Sequence, residues 1–227
     1  MPIYRLSHQL SFPPSEHAEP AGLLAVGADL SPKRLLLAYS SGIFPWYNEG
    51  EPILWWSPDP RCVLLPEQLH VSQRLLRTIR QGRFRVTVNR AFRKVVTACA
   101  TTPRHGHGGT WITAEMLAAY VHLHRLGYAH SVECWADGEL AGGIYGVCLG
   151  RCFFGESMFH RQTDASKVAF VALVERLCER DFVLLDCQQT TGHLLRFGAR
   201  DVTRREFLRL MRVGGVMPGV EQEKGAF

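Results

Sequence analysis

The chain has 227 residues and a formal net charge of +5, with 46% hydrophobic and 21% charged residues and no biased tract, which excludes a disordered, collagen-like or low-complexity protein. Residues 1–8 lack the apolar core of a secretory signal, and no run approaches the ~20 apolar residues of a membrane span, so a cytoplasmic protein that does not enter a membrane is expected. The seven cysteines form no C-x-x-C pair and lie mostly in apolar surroundings, which reads as reduced core thiols.

The first clear element is a helix whose start is marked by Ser31-Pro32, an N-cap followed by proline at the first helical position, and whose end is marked by Gly42. Residues 44–60 are rich in Pro and Trp and break regular structure. They are expected to form one wall of a cleft and the boundary between a small N-terminal α/β domain, 1–60, and a larger body, 61–227. Residues 62–65 and 84–88 read as strands, Asn89 as the cap of a helix running to about Cys99, and Thr113 as the start of a helix that Gly127 ends. Residues 129–135, 139–148 and 151–156, joined at Asp137-Gly138 and Leu149-Gly150, predict an antiparallel meander. Gly142-Gly143-Ile144-Tyr145-Gly146 falls inside it and signals close packing, since no Lys-Ser/Thr follows to make a phosphate loop. Asp164 is expected to cap a helix through Val168, Val171, Leu173, Val174 and Leu177, and residues 182–187 return as a strand. Thr203-Arg204-Arg205-Glu206 reads as a capping box opening a last amphipathic helix. The fold class is therefore α+β, a mixed sheet covered by helices.

Charge is segregated along this framework. No Asp or Glu stands between Gln68 and Ala114, where nine cations fall, Arg74, Arg77, Arg80, Arg83, Arg85, Arg90, Arg93, Lys94 and Arg104. That exceeds the net charge of the whole chain, so the remainder is net acidic. Such a footprint suits a polyanion, nucleic acid above all. Arg74, Arg77 and Arg80 follow an N-cap at Ser72 and share one side of a helix, a row that also fits an ordinary solvated face.

Two segments carry polar groups inside apolar strands: Phe153-Phe154-Gly155-Glu156-Ser157-Met158-Phe159 and Leu184-Leu185-Asp186-Cys187-Gln188. Burying such a group without a partner costs roughly 1 to 3 kcal/mol, which a function commonly explains. Structural uses compete. Asp186 is placed to cap a short helix near Thr190, Gln188 to be a surface amide, and Glu156 to pair with a C-terminal arginine. His105-x-His107 and His122-x-His124 lack a matching Cys or acid cluster, so no metal is expected.

Gly42-Ile43-Phe44-Pro45-Trp46, Trp55-Trp56-Ser57-Pro58-Asp59-Pro60-Arg61, Gly109-Thr110-Trp111-Ile112-Thr113, Gly155-Glu156-Ser157-Met158-Phe159 and Asp186-Cys187-Gln188 stand in the order seen in the leucyl/phenylalanyl-tRNA protein transferases. The chain resembles that family over nearly its whole length. The resemblance implies a body like the GCN5-type acetyltransferases. It also implies a cofactor-free, metal-independent aminoacyltransferase that moves Leu, Phe or Met from aminoacyl-tRNA to acceptor proteins beginning with Lys or Arg, marking them for N-end rule degradation. Two segments depart from the family pattern: the lead-in Arg104-His105-Gly106-His107-Gly108, and a short C-terminal tail bearing Gly214, Gly215 and Gly219.

The aminoacyl ester is already activated and an α-amine has a pKa of about 7.7 to 8.0, so the reaction needs alignment more than a nucleophile or metal. Gln188 is expected to accept a hydrogen bond from the attacking amine, with Asp186, two residues back on the same strand, fixing it, and Glu156 to face the incoming basic terminus or the aminoacyl ammonium. By likeness to the family's pocket, Ile144, Phe153, Met158, Phe170, Leu173, Leu177 and Leu185 would hold the donor side chain, with Gly155 letting its backbone approach, although such a stripe is ordinary core in most proteins. Trp46 and Trp111, with Tyr39 adding a hydroxyl, would hold the terminal adenosine, and Trp55 and Trp56 would join the two domains. Arg74, Arg77, Arg80 and Arg83 are the cations expected to meet the tRNA. No coiled coil or long exposed apolar segment is predicted, so a monomer is expected. Two rival readings remain. An acyl-CoA-dependent N-acetyltransferase would need a pyrophosphate loop, and an RNA-binding module would leave Glu156, Asp186 and Gln188 without a task.

Overall fold

The structure, a computed structural model, describes residues 3–102 and 111–227. The predicted lead-in at Arg104 to Gly108 and the Gly109-Thr110 half of one motif lie outside the described residues. The chain begins with β1 (Tyr4–Leu6), β2 (Leu23–Gly27), α1 (Pro32–Ser40), β3 (Phe44–Pro45) and β4 (Leu54–Trp56), whose strands form a four-stranded sheet in the order β1-β2-β4-β3. There follow β5 (Arg61–Leu64), α2 (Gln73–Arg80), β6 (Arg85–Val88), α3 (Phe92–Thr101), α4 (Ala114–Arg125), β7 (Ala129–Ala136), β8 (Glu139–Leu149) and β9 (Cys152–His160). The last elements are α5 (Ala165–Cys178), β10 (Leu184–Gln188), α6 (Gly192–Leu195), β11 (Arg200–Val202) and α7 (Arg204–Val213). Seven strands make the larger sheet, β11-β5-β10-β9-β8-β7-β6. The expected mixed sheet covered by helices is the fold observed.

Within the larger sheet β9 and β10 are the parallel pair, and parallel neighbours require a crossover, which α5 supplies. Their pairing, Leu184↔Cys152, Leu185↔Phe153 and Asp186↔Phe154, stops just before Gly155 and Glu156. Beyond Asp186 the backbone bulges, with Gln188 at φ +61°, a left-handed conformation uncommon outside glycine. The strands part there, and the gap is the site described below. Gly142 lets α5 seat on the sheet, because a Cβ at that position would stand 2.7 Å from the Cβ of Ala165. The glycines of β8 are thus packing devices, as their sequence suggested.

Local signals were met unevenly. Thr113 and Thr203 cap α4 and α7, accepting from the N–H groups of Met116 and Glu206. Glu206 does not complete the expected box, since its carboxylate takes both donors of Arg209 instead. Asn89 does not cap α3. Its side chain bonds His130 and the Ser131 N–H, and the start of α3 is held by the buried Glu133, which accepts from the N–H groups of Arg90 and Ala91. Asp164 stands at the N-cap position of α5 without a capping bond, because Lys167 and Arg74 draw its carboxylate outward.

Trp55 and Trp56 stand in the smaller sheet, where their indole N–H groups donate to Gly27 O and Trp46 O, and they pack in a core cluster that also holds Val63, Phe154 and Phe207 of the larger part. Polar and cation–ring contacts join the two parts as well. Arg204 of α7 donates to Ser57 O at 2.6 Å, and the Arg61 guanidinium lies between the rings of Phe44 and Phe207, 4.7 and 4.6 Å from their centroids. The C-terminal tail returns to the body, with Gly150 N–H donating to Glu223 O and the Phe227 ring 5.1 Å from that of Phe153.

Candidate functional site

Glu156, Asp186 and Gln188 converge where β9 and β10 separate. Glu156 is 9% exposed, and each of its carboxyl oxygens is held. Oε1 accepts from the Tyr39 hydroxyl at 2.7 Å and from the Gln188 side-chain amide at 3.1 Å, while Oε2 accepts from the Tyr120 hydroxyl at 2.7 Å. Burial pushes the Glu156 carboxyl up to about 7, against the lowering effect of the tyrosine bonds. The two hydroxyls are themselves 2.5 Å apart. If Glu156 is ionised, both tyrosines donate to it and no hydrogen remains for their mutual contact. A proton on the carboxyl brings the total to one per contact. The same burial, with the Glu156 charge beside them, raises both tyrosines well above their ordinary range.

Asp186 is fully buried and forms a two-bond pair with Arg61, Nε to Oδ1 at 2.8 Å and Nη2 to Oδ2 at 2.6 Å. Its Oδ1 also accepts from the Gln188 backbone N–H at 2.9 Å. Asp186 thus holds Gln188 through the backbone of the bulge, not through the amide. It caps no helix; Thr191 does that for α6. The amide is held from the other side by Glu156. Arg61 and Tyr120 were not singled out from the sequence, because their partners lie 125 and 36 positions away along the chain.

Beside these groups lies a cavity of about 280 Å³ whose lining includes Ile144, Gly155, Met158, Phe170 and Leu185. Phe153, Leu173 and Leu177, expected with them, are instead fully buried in the core between α5 and the sheet. Thr191, His193 and Leu194 of the loop and α6 close the far wall and were missed in the sequence. At Gly155 a Cβ would meet Asp186 O at 3.3 Å, so the glycine keeps the cavity mouth open against β10.

The aromatic candidates are distributed differently from expectation. Tyr39 is buried and its hydroxyl is engaged by Tyr120 and Glu156, so it has no face for a base. Trp46 is 38% exposed, its ring 5.6 Å from that of Trp56, and Trp111 is half-buried against the core; neither lines the apolar cavity. Arg74, Arg77, Arg80 and Arg83 are all exposed. Arg74 reaches Asp164, and the hollow containing that pair shares His193 with the apolar cavity, which links α2 to the site. Among the described residues no group of three His, Cys, Asp or Glu side chains is arranged to hold a metal ion. No helix of the described residues is long and apolar enough to cross a membrane.

Residues 63–212 match the family model described as leucyl/phenylalanyl-tRNA protein transferase, and residues 28–59 match the model of that family's N-terminal domain. The chain is 59% identical over 227 residues to the leucyl/phenylalanyl-tRNA–protein transferase of Syntrophotalea carbinolica, covering 100% of this chain and 99% of the relative. It is 64% identical over 208 residues to the protein of that name from an Anaeromyxobacter species, covering 92% of this chain and 88% of the relative. A solved ribosomal-protein-alanine N-acetyltransferase from Brucella melitensis overlaps 48% of this chain and 82% of its own, with 15% identity and a TM-score of 0.34.

Proposed function

The chain belongs to the leucyl/phenylalanyl-tRNA protein transferase family, and from that premise we propose that it joins leucine, phenylalanine or methionine, carried on tRNA, to the amino terminus of proteins that begin with Lys or Arg. The products are marked for N-end rule degradation, and a substrate borne on tRNA places the work in the cytoplasm. The observation that carries this reading is the meeting of Glu156, Asp186 and Gln188 at the mouth of an apolar cavity.

The donor side chain enters between Ile144, Met158, Phe170 and Leu185, where burial of a leucine or phenylalanine side chain contributes about 1.5 to 3 kcal/mol. The ester carbonyl then lies near Gly155. Gln188 turns its amide N–H toward Glu156, which leaves the amide oxygen to accept a hydrogen bond from the approaching amine. Attack forms the C–N bond, the bond to the ribose oxygen breaks, and the amine proton passes to that oxygen, directly or through solvent or the neighbouring ribose hydroxyl. Gln188 aims the amine and is too weak a base to keep its proton. Asp186, fixed by Arg61, holds the bulge, and Glu156 holds the amide. Both Glu156 oxygens are occupied inside the protein, so in this reading it positions Gln188 rather than pairing with the acceptor's cation.

Incubation with Leu-tRNA, and separately with acetyl-CoA, and an Arg-terminated peptide tests the proposal. Leucylated peptide from the first mixture and unchanged peptide from the second are expected. Acetylated peptide, or RNA binding without any transfer, would favour one of the rivals.

A further inference from the structure

A second hollow, of about 890 Å³, lies between α3, the C-terminal end of α4 and the β7–β8 turn. Its lining includes Arg90, Arg93, Lys94, Arg125 and Arg161, against the single carboxylate of Glu139. Among the described residues none of these five cations is in an ion pair. Glu133, beside the start of α3, is fully buried, is engaged by Thr87, Ser131 and the N–H groups of Arg90 and Ala91, and does not line the hollow. Arg161 donates to Leu140 O at 3.5 Å and lies 5.8 Å from the Phe159 ring centroid, contacts that leave its charge unneutralised. Five like charges around one hollow repel one another, a cost that a bound anion relieves.

We propose that this hollow is a groove for the phosphodiester backbone of the RNA, separate from the cation row of α2. The inference rests on the reading that the donor arrives on RNA. The groove is about three times the volume of the apolar cavity and its charges are spread over α3 and the residue pair before it, the end of α4 and the segment after β9, which suits a row of phosphates better than one small anion. It is also continuous with the acid-free stretch. From α2 the chain passes Arg83 to β6 at the sheet edge, and there the Arg85 guanidinium lies 5.8 Å from the ring centroid of Trp135, itself a wall of the groove.

The test uses R93Q/K94Q, two exposed positions on α3 where glutamine keeps the helix. Binding of an uncharged tRNA transcript is measured over a range of salt, and transfer is measured with phenylalanyl-adenosine, which lacks the RNA body. Loss of two phosphate contacts should flatten the slope of log affinity against log salt by about 1.4 to 1.8, while transfer from the small donor stays at the wild-type rate. An unchanged slope overturns the groove. So does a variant that loses binding of a polyglutamate peptide while keeping that of RNA, since the groove would then serve an acidic protein. If wild type transfers nothing but its RNA binding still falls in R93Q/K94Q, the groove stands and the proposed reaction fails.

Discussion

Gln188 donates its side-chain amide to Glu156 at 3.1 Å, and this bond decides which end of the amide faces the apolar cavity. The Glu156 oxygen facing it, Oε1, accepts from the Tyr39 hydroxyl and from this amide, so the NH2 group turns inward and the oxygen outward. Gln188→Ala removes that oxygen while leaving the cavity and its neighbours in place. With a hydrogen bond of about 1.5 to 3 kcal/mol at stake, kcat should fall roughly 10- to 100-fold with little change in KM for the donor. Turnover near wild type at saturating substrates eliminates the role.

Arg61 and Asp186 should behave as one unit in folding. Arg61→Met leaves a buried carboxylate without its partner, and Asp186→Leu leaves a buried guanidinium between two rings, so each alone should cost about 3 to 5 kcal/mol in urea denaturation. The double variant should be more stable than the sum of the two losses predicts. Additive losses would mean that the pair is not coupled.

Glu156 makes stability depend on pH in a direction opposite to most carboxyl groups. The folded protein keeps a proton there up to about 7, whereas the unfolded chain releases it near 4.5. The stabilisation is complete below about pH 4.5 and is lost as pH rises through about 7, a change of about 3 kcal/mol. His130 acts the other way. Burial pushes its imidazole down to about 4 from an ordinary 6.5, so its contribution is lost as pH falls through that range. Across pH 5 to 6.5 the two nearly cancel. In Glu156→Gln the His130 effect is no longer offset by Glu156, and the urea midpoint should rise with pH over that window more steeply than in wild type. Parallel profiles would show that Glu156 does not hold its proton.

Met158 pairs across the strands with Ile144 at the cavity wall. Met158→Trp should fill much of the space and lower kcat/KM for phenylalanyl donors by tenfold or more, with a smaller loss for leucyl donors, because the larger side chain loses more room. Binding of uncharged tRNA should be unaffected. Equal losses for both donors and for uncharged tRNA would place the amino acid elsewhere.

Much of the scaffold could be read from short-range chemistry. The caps at Thr113 and Thr203 are set within one turn of helix, and the meander is set by hairpin turns between neighbouring strands. Asn89 and Asp164 misled because their side chains have alternative partners brought from distant elements, Ser131 and His130 for one and Arg74 for the other. The polar triad stood out because its members interrupt apolar strands. Arg61 and Tyr120, which help to hold that triad, carry no local mark, and Tyr39 was marked for another task, since their roles depend on contacts across the fold. Helical spacing likewise could not separate Phe170 at the cavity wall from Leu173 and Leu177 in the core, because all three lie on the side of α5 that faces the sheet.

The twisted backbone at Gln188 has an implication for engineering. A glycine there would relieve the left-handed strain while Glu156 keeps its two tyrosine donors, so the melting temperature should rise slightly. Libraries screened only for thermal robustness would therefore drift toward discarding the very amide on which turnover is proposed to depend, and any such campaign needs an activity gate at that codon.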